Sequence, residues 1–85
     1  MTDVKTVLRQ LGAKVTYFRT VAGISQEELA RRVNRSPSTI VSIESGWYKS
    51  LGIPLLVSVA NAMDADLSLM LQFGEVERRL WNSSI

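Results

Sequence analysis

Apolar residues recur at steps of three and four from Val4 onward, at Val4, Val7, Leu8, Leu11, Val15, Phe18 and Val21 or Ala22. That spacing predicts a first helix, with Asp3 or Thr2 placed to cap its start. Gly12 lies inside the stretch and costs about 1 kcal/mol relative to Ala in a helix, so a break near Leu11 stays open, with helix favoured on both sides of it. Gly23 follows the last periodic residue and suits a left-handed helix end.

Two short helices are expected next. Ser25 precedes Glu28 by three positions, the spacing in which the hydroxyl accepts from the third helical N–H and the Glu side chain reaches back to the Ser N–H. The helix so opened carries Leu29, Ala30 and Val33 on one side and Arg31 and Arg32 on another. It stops at Asn34, which tolerates positive φ better than most residues other than glycine. Ser36-Pro37 is a second start signal, with Ser as N-cap and Pro where its missing N–H is not needed. The helix that follows ends at Ser45-Gly46. Ile40 and Ile43 face inward with Val41 to one side, which leaves Ser38, Thr39 and Ser42 outward.

Gly46 to Gly52 reads as a loop, and Pro54 can open a fourth helix that turns Leu55, Leu56, Val59, Ala60 and Met63 to the core. After Asp64-Ala65-Asp66 the period changes. Leu67, Leu69, Leu71 and Phe73 alternate with Ser68, Met70 and Gln72, which predicts a strand ending at Gly74. Residues 75–81 suit a last helical turn or two. The fold class expected is mainly α, a four- to five-helix domain over residues 1–66, followed by a short C-terminal β-strand and tail over residues 67–85.

Composition narrows the chemistry. A chain of 85 residues with 46% hydrophobic and 21% charged residues suits one compact core. It holds neither Cys nor His, which removes disulfides, thiolate metal sites, the commonest general base and any Ser-His or Cys-His nucleophile pair. Enzyme chemistry, a metal site and a cofactor are therefore not expected. The carboxylate pairs Glu27/Glu28, Asp64/Asp66 and Glu75/Glu77 have no partner cluster with ligand spacing; a helix N-terminus accounts for the first and a turn for the second. No apolar run approaches the roughly 20 residues that span a bilayer, and no signal peptide is apparent, so a cytoplasmic setting without membrane contact is the expectation. Residues 1–50 carry eight Lys and Arg against four acids, a balance of +4, whereas residues 51–85 carry two against four, a balance of −2. A polyanion would bind the basic end.

Two capped short helices across a tight turn form the layout of a helix-turn-helix, whose second helix enters the major groove of DNA. Ala30, four residues before Asn34, supplies the small side chain that close helix contact needs. The stretches Gly23-Ile24-Ser25-Gln26-Glu27-Glu28-Leu29-Ala30, Ser36-Pro37-Ser38-Thr39-Ile40 and Ile43-Glu44-Ser45-Gly46 resemble the lambda-repressor-like, XRE-type helix-turn-helix family, and the resemblance covers about residues 11–67. Asn34 departs from the glycine usual in that turn. The resemblance implies that Gln26 grips a DNA phosphate at a helix N-terminus, and that Arg19 and Glu44 form a buried ion pair. It further implies that Arg35, Ser36, Pro37, Ser38, Thr39 and Ser42 touch DNA and that Lys49 contacts its backbone. Arg35 suits a guanine or a phosphate, and a Thr methyl can meet that of thymine. Beside these, Arg31 and Arg32 read as solvated surface, and Trp47 as a core or dimer residue as readily as a DNA contact.

A lone strand needs a partner, and none is evident in this chain, so Leu67, Leu69, Leu71 and Phe73 are expected to pair with a second copy. Such a homodimer would set two reading helices toward half-sites of a palindromic operator on double-stranded DNA, as a repressor does. The layout from Met63 to Leu71 is similar to that of HipB-type antitoxins, which implies a kinase-like toxin protein as an alternative partner. A protein-interaction adaptor that keeps the fold without binding DNA is the other reading.

Overall fold

Asp3 opens the first helix of the computed structural model, which describes residues 3–72; the carboxylate accepts from the Thr6 N–H at 2.7 Å. The chain then forms α1 (Val4–Ala22), α2 (Gln26–Arg32), α3 (Pro37–Ser45), α4 (Ile53–Ala62) and α5 (Leu67–Met70). Helix α1 runs unbroken through Gly12, and the reason lies in its neighbour. A Cβ at Gly12 would meet the carbonyl oxygen of Ile43 and stand 2.6 Å from that of Glu44, so only glycine lets α1 cross the last turn of α3 at this separation. The residue that reads locally as a helix breaker is the crossing point of two helices. Gly46 ends α3 at φ +81° against the backbone of Arg9, and so repeats the close approach one turn earlier on α1.

Helix α2 begins as its sequence directs, with the Ser25 hydroxyl accepting from the Glu28 N–H at 3.0 Å. The reciprocal half of that cap is absent, because the Glu28 carboxylate turns to Arg31 and Arg32. Asn34 takes φ +58°, and the bonds Asn34 N–H to Arg31 O and Arg35 N–H to Ala30 O close the helix end as a Schellman motif. The same arrangement ends α4, with Asp64 at φ +53° in the left-handed position. Ser36 occupies the N-cap of α3 without a side-chain capping bond. Its hydroxyl lies 2.9 Å from that of Ser38 and 3.1 Å from that of Thr39.

The core gathers Leu11 and Val15 of α1, Leu29 and Ala30 of α2, Ile40 and Ile43 of α3, Leu55, Leu56, Val59 and Ala60 of α4, and Met63 and Met70. Each large side chain so buried contributes about 1.5–3 kcal/mol of transfer free energy. Among the described residues no buried side-chain polar atom lacks a partner, and no helix is long and apolar enough to cross a membrane.

Residues 67–70 correct the expected strand. Asp66 caps a helical turn by accepting from the Ser68 N–H at 2.9 Å. Met70, placed by alternation on the polar side, is fully buried, whereas Leu69 and Leu71 are exposed and Leu67 is half-buried. Over so few residues Leu67 and Met70 satisfy helical i, i+3 spacing as well as Leu67 and Leu69 satisfy alternation, and the place that α1 and α4 leave for Met70 decides. Phe73 and the helical turn expected over residues 75–81 lie outside the described residues.

Candidate nucleic-acid interface

Helices α2 and α3 meet through Leu29, Ala30, Ile40 and Ile43, all at most 1% exposed. Fixing that inner side fixes what α3 turns outward. Ser38, Val41, Ser42 and Ser45 share its opposite face by helical spacing; Ser38, Val41 and Ser45 are exposed, and Ser42 and Thr39 are half-buried. Pro37 and Ser36 stand exposed at the start of the helix, and Arg35 stands exposed in the turn before it. The face carries hydroxyls and no charge, so it can donate to or accept from base edges without demanding a counter-ion. Val41, which the helical spacing sets to one side of the inward Ile40 and Ile43, is 45% exposed in the middle of this polar face.

One carboxylate holds the three helices in register. Glu44 on α3 accepts from Arg19 Nε at 2.6 Å and Arg19 Nη2 at 3.2 Å, and from the Thr16 hydroxyl at 3.0 Å, all on α1. From α2 it accepts the Gln26 side-chain amide, also at 3.0 Å. The Arg19 guanidinium bonds in addition to the Ile24 carbonyl, at 2.9 Å. The Glu44 side chain is only 7% exposed and that of Arg19 17%. Burial pushes the Glu44 carboxyl up, but the hydrogen bonds from Arg19, Gln26 and Thr16 outweigh it and hold the group below its ordinary value. Gln26, the first residue of α2, is thus held by its amide nitrogen against Glu44, a partner that spacing alone did not indicate.

A second charged group stands on open surface. Glu28 binds Arg31 at 2.5 Å and Arg32 at 2.8 Å, and these bonds lower its carboxyl to about 2. Arg32 also donates to the Ala62 carbonyl at 3.0 Å, which ties the end of α2 to the end of α4. Both arginines thereby have local structural partners, whereas Arg35 and Lys49 form no ion pair among the described residues. Lys49 borders a shallow groove with Val4, Lys5, Leu8, Gly46 and Trp47, beyond the C-terminal end of α3. Among the described residues no cluster of acidic side chains has metal-binding geometry.

Two short helices across a Schellman turn, the second braced from behind and open in front, define a DNA-binding transcription regulator of the helix-turn-helix class. The chain belongs to the XRE-type helix-turn-helix family, whose model, described as "Helix-turn-helix", matches residues 17–70. Among solved structures it is similar to the clp gene regulator ClgR from C. glutamicum, at 32% identity and a TM-score of 0.72, over 76% of this chain and 83% of that one. It also shares the fold of the restriction-modification controller protein C.AhdI from Aeromonas hydrophila, at 24% identity and a TM-score of 0.75, over 82% of this chain and 100% of that one. Compared by sequence with curated proteins, the chain matches none.

Proposed function

We propose that the chain is a sequence-specific repressor that binds a palindromic operator as a homodimer. The observation that carries this reading is the outward face of α3, with Ser38 and Ser45 exposed and Ser42 within reach of solvent, on a helix whose inner side is locked to α2. In this reading Ser36, Pro37, Ser38, Thr39 and Ser42 meet base edges or the adjoining backbone, and Arg35 takes a guanine or a phosphate. Gln26 presents its remaining amide hydrogen and carbonyl beside the N-terminus of α2, where a phosphate oxygen is favoured. Lys49 meets the backbone on the far side of the helix. Small hydroxyl side chains discriminate weakly by themselves, so DNA shape and the paired half-site supply much of the specificity.

Pairing of two copies draws on Leu69 and Leu71, which are 43% and 41% exposed. With residues 67–70 helical, the contact is one of side chains.

Selection of duplexes from a randomised pool, followed by titration of the recovered sequence, tests the reading. Binding should weaken steeply as salt rises. It should disappear when Gln26→Ala and Arg35→Ala are combined in a chain whose circular dichroism is unchanged. Recovery of no preferred sequence, or of one without two-fold symmetry, would count against it. A sedimentation run giving only monomer at micromolar concentration would remove the dimer.

A further inference from the structure

The C-terminal end of α3 carries no cations of its own. An α-helix with its side chains is about 10–12 Å across and the major groove is about 12 Å wide, so the structure flanking α3 on either side comes against the phosphate walls. On the α2 side Gln26 and a helix N-terminus stand ready. On the other side the last turn of α3 presents carbonyls, the negative end of its dipole, and holds no basic residue. Its one charged residue, Glu44, is committed to Arg19. Unless charge arrives from elsewhere, this end repels a phosphate strand.

That charge stands on the first half of α1. Gly46 brings the backbone of Arg9 against the end of α3, with 2.9 Å between the Arg9 Cα and the point a Cβ at Gly46 would occupy. Lys5, one turn earlier, places Nζ 5.9 Å from the centre of the Trp47 ring, at the outer limit of a cation–π contact. Trp47 is 67% exposed, and Lys49 lines the same groove as Lys5 and Trp47. Lys5, Arg9 and Lys49 make no ion pair among the described residues. The acid beside them is Asp3, whose carboxylate accepts from the Thr6 N–H.

We propose that Lys5 and Arg9 on α1, with Lys49 and the Trp47 ring, form a second clamp on duplex DNA, gripping phosphates of the strand that borders the C-terminal end of α3. The two basic side chains of α1 take successive phosphate oxygens, Lys49 a third, and the apolar ring packs against the adjoining deoxyribose. Lys5 and Arg9 precede the stretch matched by the family model, so this clamp is an addition of α1 to the shared helix-turn-helix. The inference rests on the DNA-binding reading above and can fail without it.

Fluorescence anisotropy on a labelled random-sequence duplex across a potassium chloride series tests it, using the full chain and the variants Lys5→Gln, Arg9→Gln and their combination. Arg31→Gln, with the same change of charge on the surface of α2, serves as control. Each lost phosphate contact should lower the slope of log K against log salt by about 0.9, and the double variant by about 1.8. A double variant no different in slope from Arg31→Gln would overturn the clamp. Salt-insensitive or absent binding by the unaltered chain would instead overturn the DNA reading, and the clamp with it. Unfolding midpoints are read in parallel; should Arg9→Gln fail to fold, Lys5→Gln alone decides, since that side chain is exposed.

Discussion

Helix α3 is held by two seams of opposite character. Toward α2 the packing is apolar and non-directional, made by Leu29, Ala30, Ile40 and Ile43, and the Gln26 amide adds a directed bond to Glu44. Toward α1 the backbones approach at Gly12 and Gly46, and beside the buried Leu11 and Val15 the directed bonds from Thr16 and Arg19 converge on Glu44. Burial of aliphatic groups supplies free energy but tolerates small rotations, whereas a carboxylate accepting from Thr16, Arg19 and Gln26 fixes an angle. One seam stabilises the pair of helices; the other aims it.

Removing the fully buried Leu29 side chain attacks the first seam, and Leu29→Ala should lower stability by about 3–4 kcal/mol in urea denaturation. DNA affinity of the molecules that remain folded should change little. Arg19→Ala attacks the second and strands a nearly buried carboxylate, at a cost of about 3 kcal/mol. Here affinity should fall even at temperatures where the variant is folded, and unchanged affinity would show that the polar seam stabilises without aiming. A double-mutant cycle with Glu44→Ala should then reveal a cost for the pair well below the sum of the single costs.

Acid provides a milder probe of the same seam. Because the Glu44 carboxyl is held below its ordinary value near 4.5, its contribution is present in full above that value and is lost as pH falls through the lower folded one. Thermal melts should therefore decline below pH 4.5, and Glu44→Gln should flatten that part of the decline. The smallest change expected lies at the corner between α2 and α3. Asn34→Gly, relieving a non-glycine residue at φ +58°, should stabilise by about 0.5–1 kcal/mol, read as a raised melting temperature. A lowered one would mean that the Asn34 side chain stabilises the turn.

The two seams differ also in how far they can be read from the chain. The apolar seam is legible because its signals are local: Ser25 and Ser36-Pro37 start the helices, Asn34 and Gly46 end them, and aliphatic residues recur at helical spacing between. The polar seam is legible in part. A family resemblance pairs Arg19 with Glu44, but neither Thr16 nor the Gln26 amide announces that it shares the same carboxylate. Gly12 misleads because its requirement is set by the backbone of Ile43 and Glu44, distant in sequence. Capping shows the same limit: the hydroxyl of Ser25 does what its spacing suggests, while Glu28 and the hydroxyl of Ser36 find nearer partners. Leu67 to Leu71 misled through brevity, since two periods fit so few residues and only the enclosure of Met70 chooses between them.

Every group that steers α3 sits behind it. Among the described residues the side chains at 37, 38, 41 and 42 make no hydrogen bond to another helix, so a different set could be written onto those positions while the bracket at Glu44 went on presenting them at the same pitch. The molecule is built as a holder with an exchangeable reading edge, and a new target sequence would call for new lettering on that edge rather than a new frame.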